Sequence, residues 1–149
     1  MLRRLHPLAG AVAFMTILAF WIATVASELG GSWQTIALVK RGIVWGLVVL
    51  VPAIALTGIS GFLMAGKSTA PILLSKKRRM PLIGINGLVV LVPAAITLAI
   101  LAARGDFGRT FMIVQGIELV AGAINLALMA LNIRDGRRLA AAIRRRRAA

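Results

Sequence analysis

The chain has 149 residues, 60% of them hydrophobic and 15% charged, with a formal net charge of +14 and no cysteine. Soluble chains are roughly 45–50% apolar and about 25% charged, so a soluble fold this small has nowhere to hide its apolar surface, and lipid is the expected solvent. The missing cysteines exclude disulfides, iron–sulfur clusters and thiolate chemistry. The basic balance matches the cationic flanks of membrane proteins and disfavours a nucleic-acid partner, because base-stacking aromatics are missing from the charged segments.

A spanning helix needs roughly 20 mostly apolar residues. The first candidate, "HPLAGAVAFMTILAFWIATVAS", covers about 6–27. Arg3 and Arg4 before it and the small residues of "TVAS" resemble a signal peptide. The run exceeds a signal h-region of about 7–15 residues, so a retained helix is expected. Pro7 suits the first helical position, with His6 beside it. As the lone histidine, His6 is the candidate for a haem iron or a metal, with Met80 and Met129 expected at the same membrane face.

The second span, about 42–66, and the third, about 81–103, share one phrase. "GLVVLVPA" runs from Gly46 to Ala53 and again from Gly87 to Ala94. Inverted repeats occur in transporters, but one phrase in a Val/Leu/Ala/Gly vocabulary also fits two helices that pack alike. Pro52 and Pro93 each remove a backbone donor, so matching bends are expected there. Thr57 and Thr97 fall in the same local environments. Gly42 and Gly46 form a GxxxG contact motif, and Gly58 with Gly61, and Gly84 with Gly87, offer similar small faces for helix packing.

The fourth span, about 111–133, holds Gln115, Glu118 and Asn125. At about 100° per residue these fall on one face, with Gly122 and Met129 inside the arc and Asn132 at its edge. Such a polar seam should face the bundle interior. Glu118, the one acid within these four spans, lies about 10 Å in from the helix start. Arg41 and Lys40 enter the same leaflet, and a Glu118–Arg41 pair is the expected partnership. The seam, with Trp45 near Gln115 and Glu118, is either a register-fixing ion pair or a proton-handling or quinone-headgroup site.

Orientation follows from Lys and Arg. Fourteen of the 18 lie before span one, between spans two and three, or after span four. Both termini are therefore expected in the cytoplasm. Residues 134–149 then form a basic cytoplasmic tail after a transmembrane domain of residues 1–133. Lys76, Lys77, Arg78 and Arg79, with Arg144, Arg145, Arg146 and Arg147, should attract anionic lipid at about 1 kcal/mol per charge. The tail is expected to continue as an interfacial helix, with Leu139 and Ile143 on one face.

The "RRLHPLAG" opening and four spans resemble small four-helix bacterial inner-membrane proteins, and the helix count is similar to that of cytochromes of the b561 class. That likeness implies haem b held by paired histidines, whereas only His6 is present here, so a haem would have to be shared with a partner subunit. The "KKRRMP" and "RDG" segments, at 76–81 and 134–136, resemble those of proteobacterial four-span proteins. GxxxxGK[ST], HExxH and GxSxG are all missing, and "GKST" at 66–69 lacks the context of a phosphate-binding loop.

The expected molecule is thus an all-α, four-helix transmembrane bundle of the bacterial inner membrane, with kinked second and third helices and no cofactor required by its sequence. Its expected role is a non-catalytic accessory or assembly subunit that packs against other subunits or copies of itself. The alternatives are a redox subunit carrying haem b or quinone at His6, Met129, Gln115, Glu118, Arg41 and Trp45, and a small transporter or channel.

Overall fold

The computed structural model describes residues 2–65 and 71–148, without the side chains of residues 2–4, 65, 71–73, 75–77, 143 and 146–148. All regular structure among these residues is helical. Helix α1 covers Leu2–Gly30, α2 Trp33–Ala65, α3 Pro71–Ile85, α4 Val92–Ala103 and α5 Arg109–Ala148. A π-helical segment, Asn86–Leu91, joins α3 to α4, so that α3, this segment and α4 form the third spanning unit. All four units are long and apolar enough to cross a membrane.

The units close into a ring. α1 packs mainly on α2, α2 on α3 and α4, and α5 on α4, α3 and α1. Short, well-capped turns set this order. Ser32 Oγ accepts the Thr35 N–H and caps α2. At the end of α4, Gly105 takes φ +69°. The Asp106 and Gly105 N–H groups then donate to Leu101 and Ala102 carbonyls, a Schellman ending that only a residue at ease with positive φ accommodates.

The surface is inverted relative to a soluble bundle. Trp45, Val48, Phe62, Val89 and Val120 point outward and are exposed. The interior holds small or polar groups, including Ala13, Ala53, Ser60, Gln115 and Asn125. Apolar residues all round a helix are what lipid on the outside requires. A core cluster of Ala13, Ile17, Leu50, Ala53, Ile83 and Met129 fills the middle of the bundle.

Three sequence boundaries move. α1 starts before Pro7, which lies inside the helix, and continues to Gly30, so Glu28 is helical and half-buried. α2 begins at Trp33, which places Lys40 two turns inside it. α5 runs unbroken for 40 residues, about 60 Å. That is twice the hydrocarbon thickness of about 30 Å, and the basic tail is the end of this same helix, half-burying Leu139.

The two copies of "GLVVLVPA" differ locally. The first is α-helical throughout, whereas Gly87 to Leu91 of the second lie in the π segment, and the Val92 N–H donates to the Gly87 carbonyl. The residue before each copy differs as well. Asn86 Nδ2 donates to the Ala121 carbonyl at 2.9 Å and to Asn125 Oδ1 at 3.3 Å, which ties this turn to α5. Trp45 holds the equivalent place in the first copy and faces outward, 70% exposed. Both copies carry the proline, so the Asn86 tether is the feature that accompanies the π turn. Asn86→Leu should return this turn to α geometry and lower stability by about 0.6–2 kcal/mol, read by thermal unfolding in detergent and by the amide shifts of residues 86–91.

Candidate functional site

The inward stripe of α2 is Ile36, Lys40, Ile43, Leu47 and Leu50, at alternating steps of four and three residues. One position in this otherwise apolar stripe carries an ammonium group. Lys40 is fully buried, and its Nζ donates to Glu118 Oε2 at 2.6 Å and to Thr24 Oγ1 at 3.4 Å. Gln115 Nε2 donates to the same Glu118 oxygen at 3.3 Å. Glu28 stands one turn beyond Thr24 on α1, within electrostatic reach of both Lys40 and Glu118. Its Oε1 is buried without a hydrogen-bond partner.

The partner of Glu118 is therefore Lys40 and not Arg41. Consecutive helical residues diverge by about 100°, so the register that turns Lys40 inward leaves Arg41 exposed. Trp45 likewise faces outward and takes no part in the cluster. Gln115 and Glu118 do meet, and the seam faces inward as expected, with Asn125 fully buried and Met129 in the core.

The Lys40–Glu118 pair lies between two apolar layers. One turn towards the 31–32 and 104–108 turns, Ile36 and Phe111 pack with Leu98 and Ala102. Phe107 covers Phe111 edge-on at 5.0 Å and stacks on Trp33 at 4.4 Å. Deeper in the bundle, a cavity of ≈ 50 Å³ reaches Glu118 and Thr24. Most of its wall is apolar, including Ile17, Leu47, Leu50, Leu91 and Ala95. Charges so enclosed feel each other strongly, because little solvent screens them.

The cavity has room for water, whereas ligand sites run to roughly 300–1,000 Å³. A quinone headgroup does not fit there without rearrangement. His6 stands at the other end of the bundle, beside Ser60 and Gly61 of α2. The His6 Nδ1 lies 3.0 Å from Ser60 Oγ, whose own proton is directed at the Leu56 carbonyl, so Nδ1–H is the donor. The His6 ring and the Met80 thioether both rest directly on Gly61, where a Cβ would come within 2.9 Å of His6 Cε1. This is side-chain packing onto a helix backbone.

The glycines divide into two groups. Gly46 receives the Phe20 ring, Gly61 receives His6 and Met80, and Gly122 receives Trp21, whose Nε1 donates to the Leu119 carbonyl. Gly87 faces Asn125 and Ile54. Among the described residues, nothing stands within 4 Å of where a Cβ would lie at Gly42, Gly58, Gly84 and Gly116. Pro52 and Pro93 both lie on exposed faces.

At the opposite end of the bundle, Arg79 Nη1 donates to Asp135 Oδ2 at 2.7 Å, and Arg134 reaches Asp135 Oδ1 at 3.4 Å. Arg78, Arg144 and Arg145 are exposed, while the Lys76, Lys77, Arg146 and Arg147 side chains lie outside the described residues.

Glu28, Thr24, Ser60, Asn86 and Asp135 were not foreseen as site residues. Glu28 was legible as a position in the register of Ala13, Ile17 and Thr24, provided the helix continued past Ser27. Asn86 had no periodic signal beyond standing where the repeat has Trp45.

Comparison of the chain with protein-family models, with curated proteins and with solved structures finds no match. The four-unit helical bundle and its ionic cluster therefore define the molecule: an all-helical protein with four membrane-span-capable units.

Proposed function

We propose that this is a non-catalytic, multi-pass subunit of the bacterial inner membrane, with both termini in the cytoplasm, that binds a proton at the Glu28–Lys40–Glu118 cluster and packs against other membrane subunits. The charge balance of a largely buried site carries this reading. Glu118 is bonded to the one buried ammonium, and Glu28, half-buried one turn nearer the 31–32 turn, lies within electrostatic reach of both. An unpaired charge there is costly, and one bound proton brings the cluster to neutrality. Glu28 is the natural holder, because Lys40 and Gln115 already serve Glu118. Back-titration of the purified protein should find one proton fewer in Glu28→Gln than in wild type; equal counts reject the reading.

The packing role draws support from Gly42 and Gly116, exposed, and Gly58 and Gly84, partly exposed, where open space beside the helix lets another helix approach closely. The orientation rests on the Lys and Arg asymmetry. A cytoplasm-active reporter fused after Ala149 should be active, and a periplasm-active one silent; the reverse result overturns the topology.

A transporter is the second reading, favoured by one observation. Gln115 Oε1, Asn125 Nδ2 and Asn132 Oδ1 are buried without partners along one face of α5. Water threading that face would satisfy all three.

A further inference from the structure

A groove of ≈ 390 Å³ between α1 and α5 is lined by Phe14, Ala130, Ile133, Arg134, Arg137 and Arg138. Its chemistry is graded along the helix axis. Phe14, two turns along α1 from His6, and Ala130 lie at the deep end. Arg134, Arg137 and Arg138 follow within the next two turns of α5 towards the chain end, all three exposed. The nearest acid, Asp135, is held at 2.7 Å by Arg79 from α3 and meets the groove only through Arg134 Nε at 3.4 Å, which leaves Arg137 and Arg138 without an acidic partner among the described residues. An apolar floor that grades into three guanidinium groups matches an amphiphile with a negatively charged head.

We propose that this groove is a site for one anionic phospholipid, its phosphate held by Arg134, Arg137 and Arg138 and an acyl chain laid against Phe14 and Ala130. Guanidinium forks match phosphate oxygens in pairs, and basic pockets between spanning helices are a known form of headgroup recognition. The site is distinct from the 76–79 and 144–147 clusters, which have charge but no described apolar wall beside it.

The test is native mass spectrometry of the full chain in detergent, titrated with phosphatidylglycerol, phosphatidylcholine or inorganic phosphate. Wild type should retain one phosphatidylglycerol in preference to phosphatidylcholine. Neutralising each arginine to Gln should weaken retention about fivefold, and all three on the order of a hundredfold. Ala130→Trp keeps every charge but fills the deep end, and should also abolish retention. Arg144→Gln with Arg145→Gln should leave it unchanged. The proposal is overturned if Ala130→Trp retains the lipid as wild type does, if the 144/145 variant loses it as severely as the triple, or if inorganic phosphate binds as tightly as the lipid.

Discussion

Replacing Lys40 by Met should destabilise the protein by about 3–5 kcal/mol, the cost of leaving a buried carboxylate without its counter-charge. The same change combined with Glu118→Gln should recover most of that loss. The asymmetry is the informative part. A lysine that is fully buried and 2.6 Å from its partner is not held by a large net gain, since both charges were stripped of water to form the pair. Met retains the bulk of the side chain in the stripe of Ile36, Ile43 and Leu50, so packing contributes little to the difference. Denaturation of the single and double variants in one detergent measures the coupling directly. Arg41→Met, one residue away on the exposed face, should change stability by less than about 0.5 kcal/mol. A loss at Arg41 as large as that at Lys40 would contradict the pairing.

The second large effect is at Gly46. A methyl group there would overlap the Phe20 ring, and the ring is held between α1 and the core cluster. Gly46→Ala should therefore cost about 1–3 kcal/mol through overpacking, against an intrinsic helix gain of about 1 kcal/mol for replacing glycine by alanine. Phe20→Leu should relieve the overlap and restore part of the loss in the double variant. Gly42→Ala, in the same GxxxG motif but with open space beside it, should lose no stability in the isolated protein. Equal losses at the two glycines would show that the motif works as a unit, contrary to the contact observed.

These two sites mark what the amino-acid pattern reveals and what it conceals. Hydropathy located four spans, because lipid forces long apolar runs and leaves few alternatives. The seam on α5 was equally legible, since Gln115, Glu118 and Asn125 share a helical face whatever surrounds them. Partner choice was not. Lys40 and Arg41 are adjacent and chemically alike, and only the three-four register of Ile36, Ile43 and Leu50 tells which one turns inward. The backbone difference between the two copies was hidden for a related reason: eight identical residues carry the same local preferences, and the π turn falls in the copy that Asn86 ties to α5. Glu28 was set aside by ending the first span at Ser27, although the chain stays helical to Gly30.

Proton binding at the Glu28–Lys40–Glu118 cluster is the central claim, and infrared difference spectroscopy of the membrane-reconstituted protein tests it most directly. Only four acids are present in the chain, so each carboxyl band can be assigned by substitution. The account predicts one protonated carboxyl C=O band near neutral pH, absent from Glu28→Gln and unchanged in Asp106→Asn. Finding no protonated carboxyl band at neutral pH, or one that survives in Glu28→Gln, would contradict it.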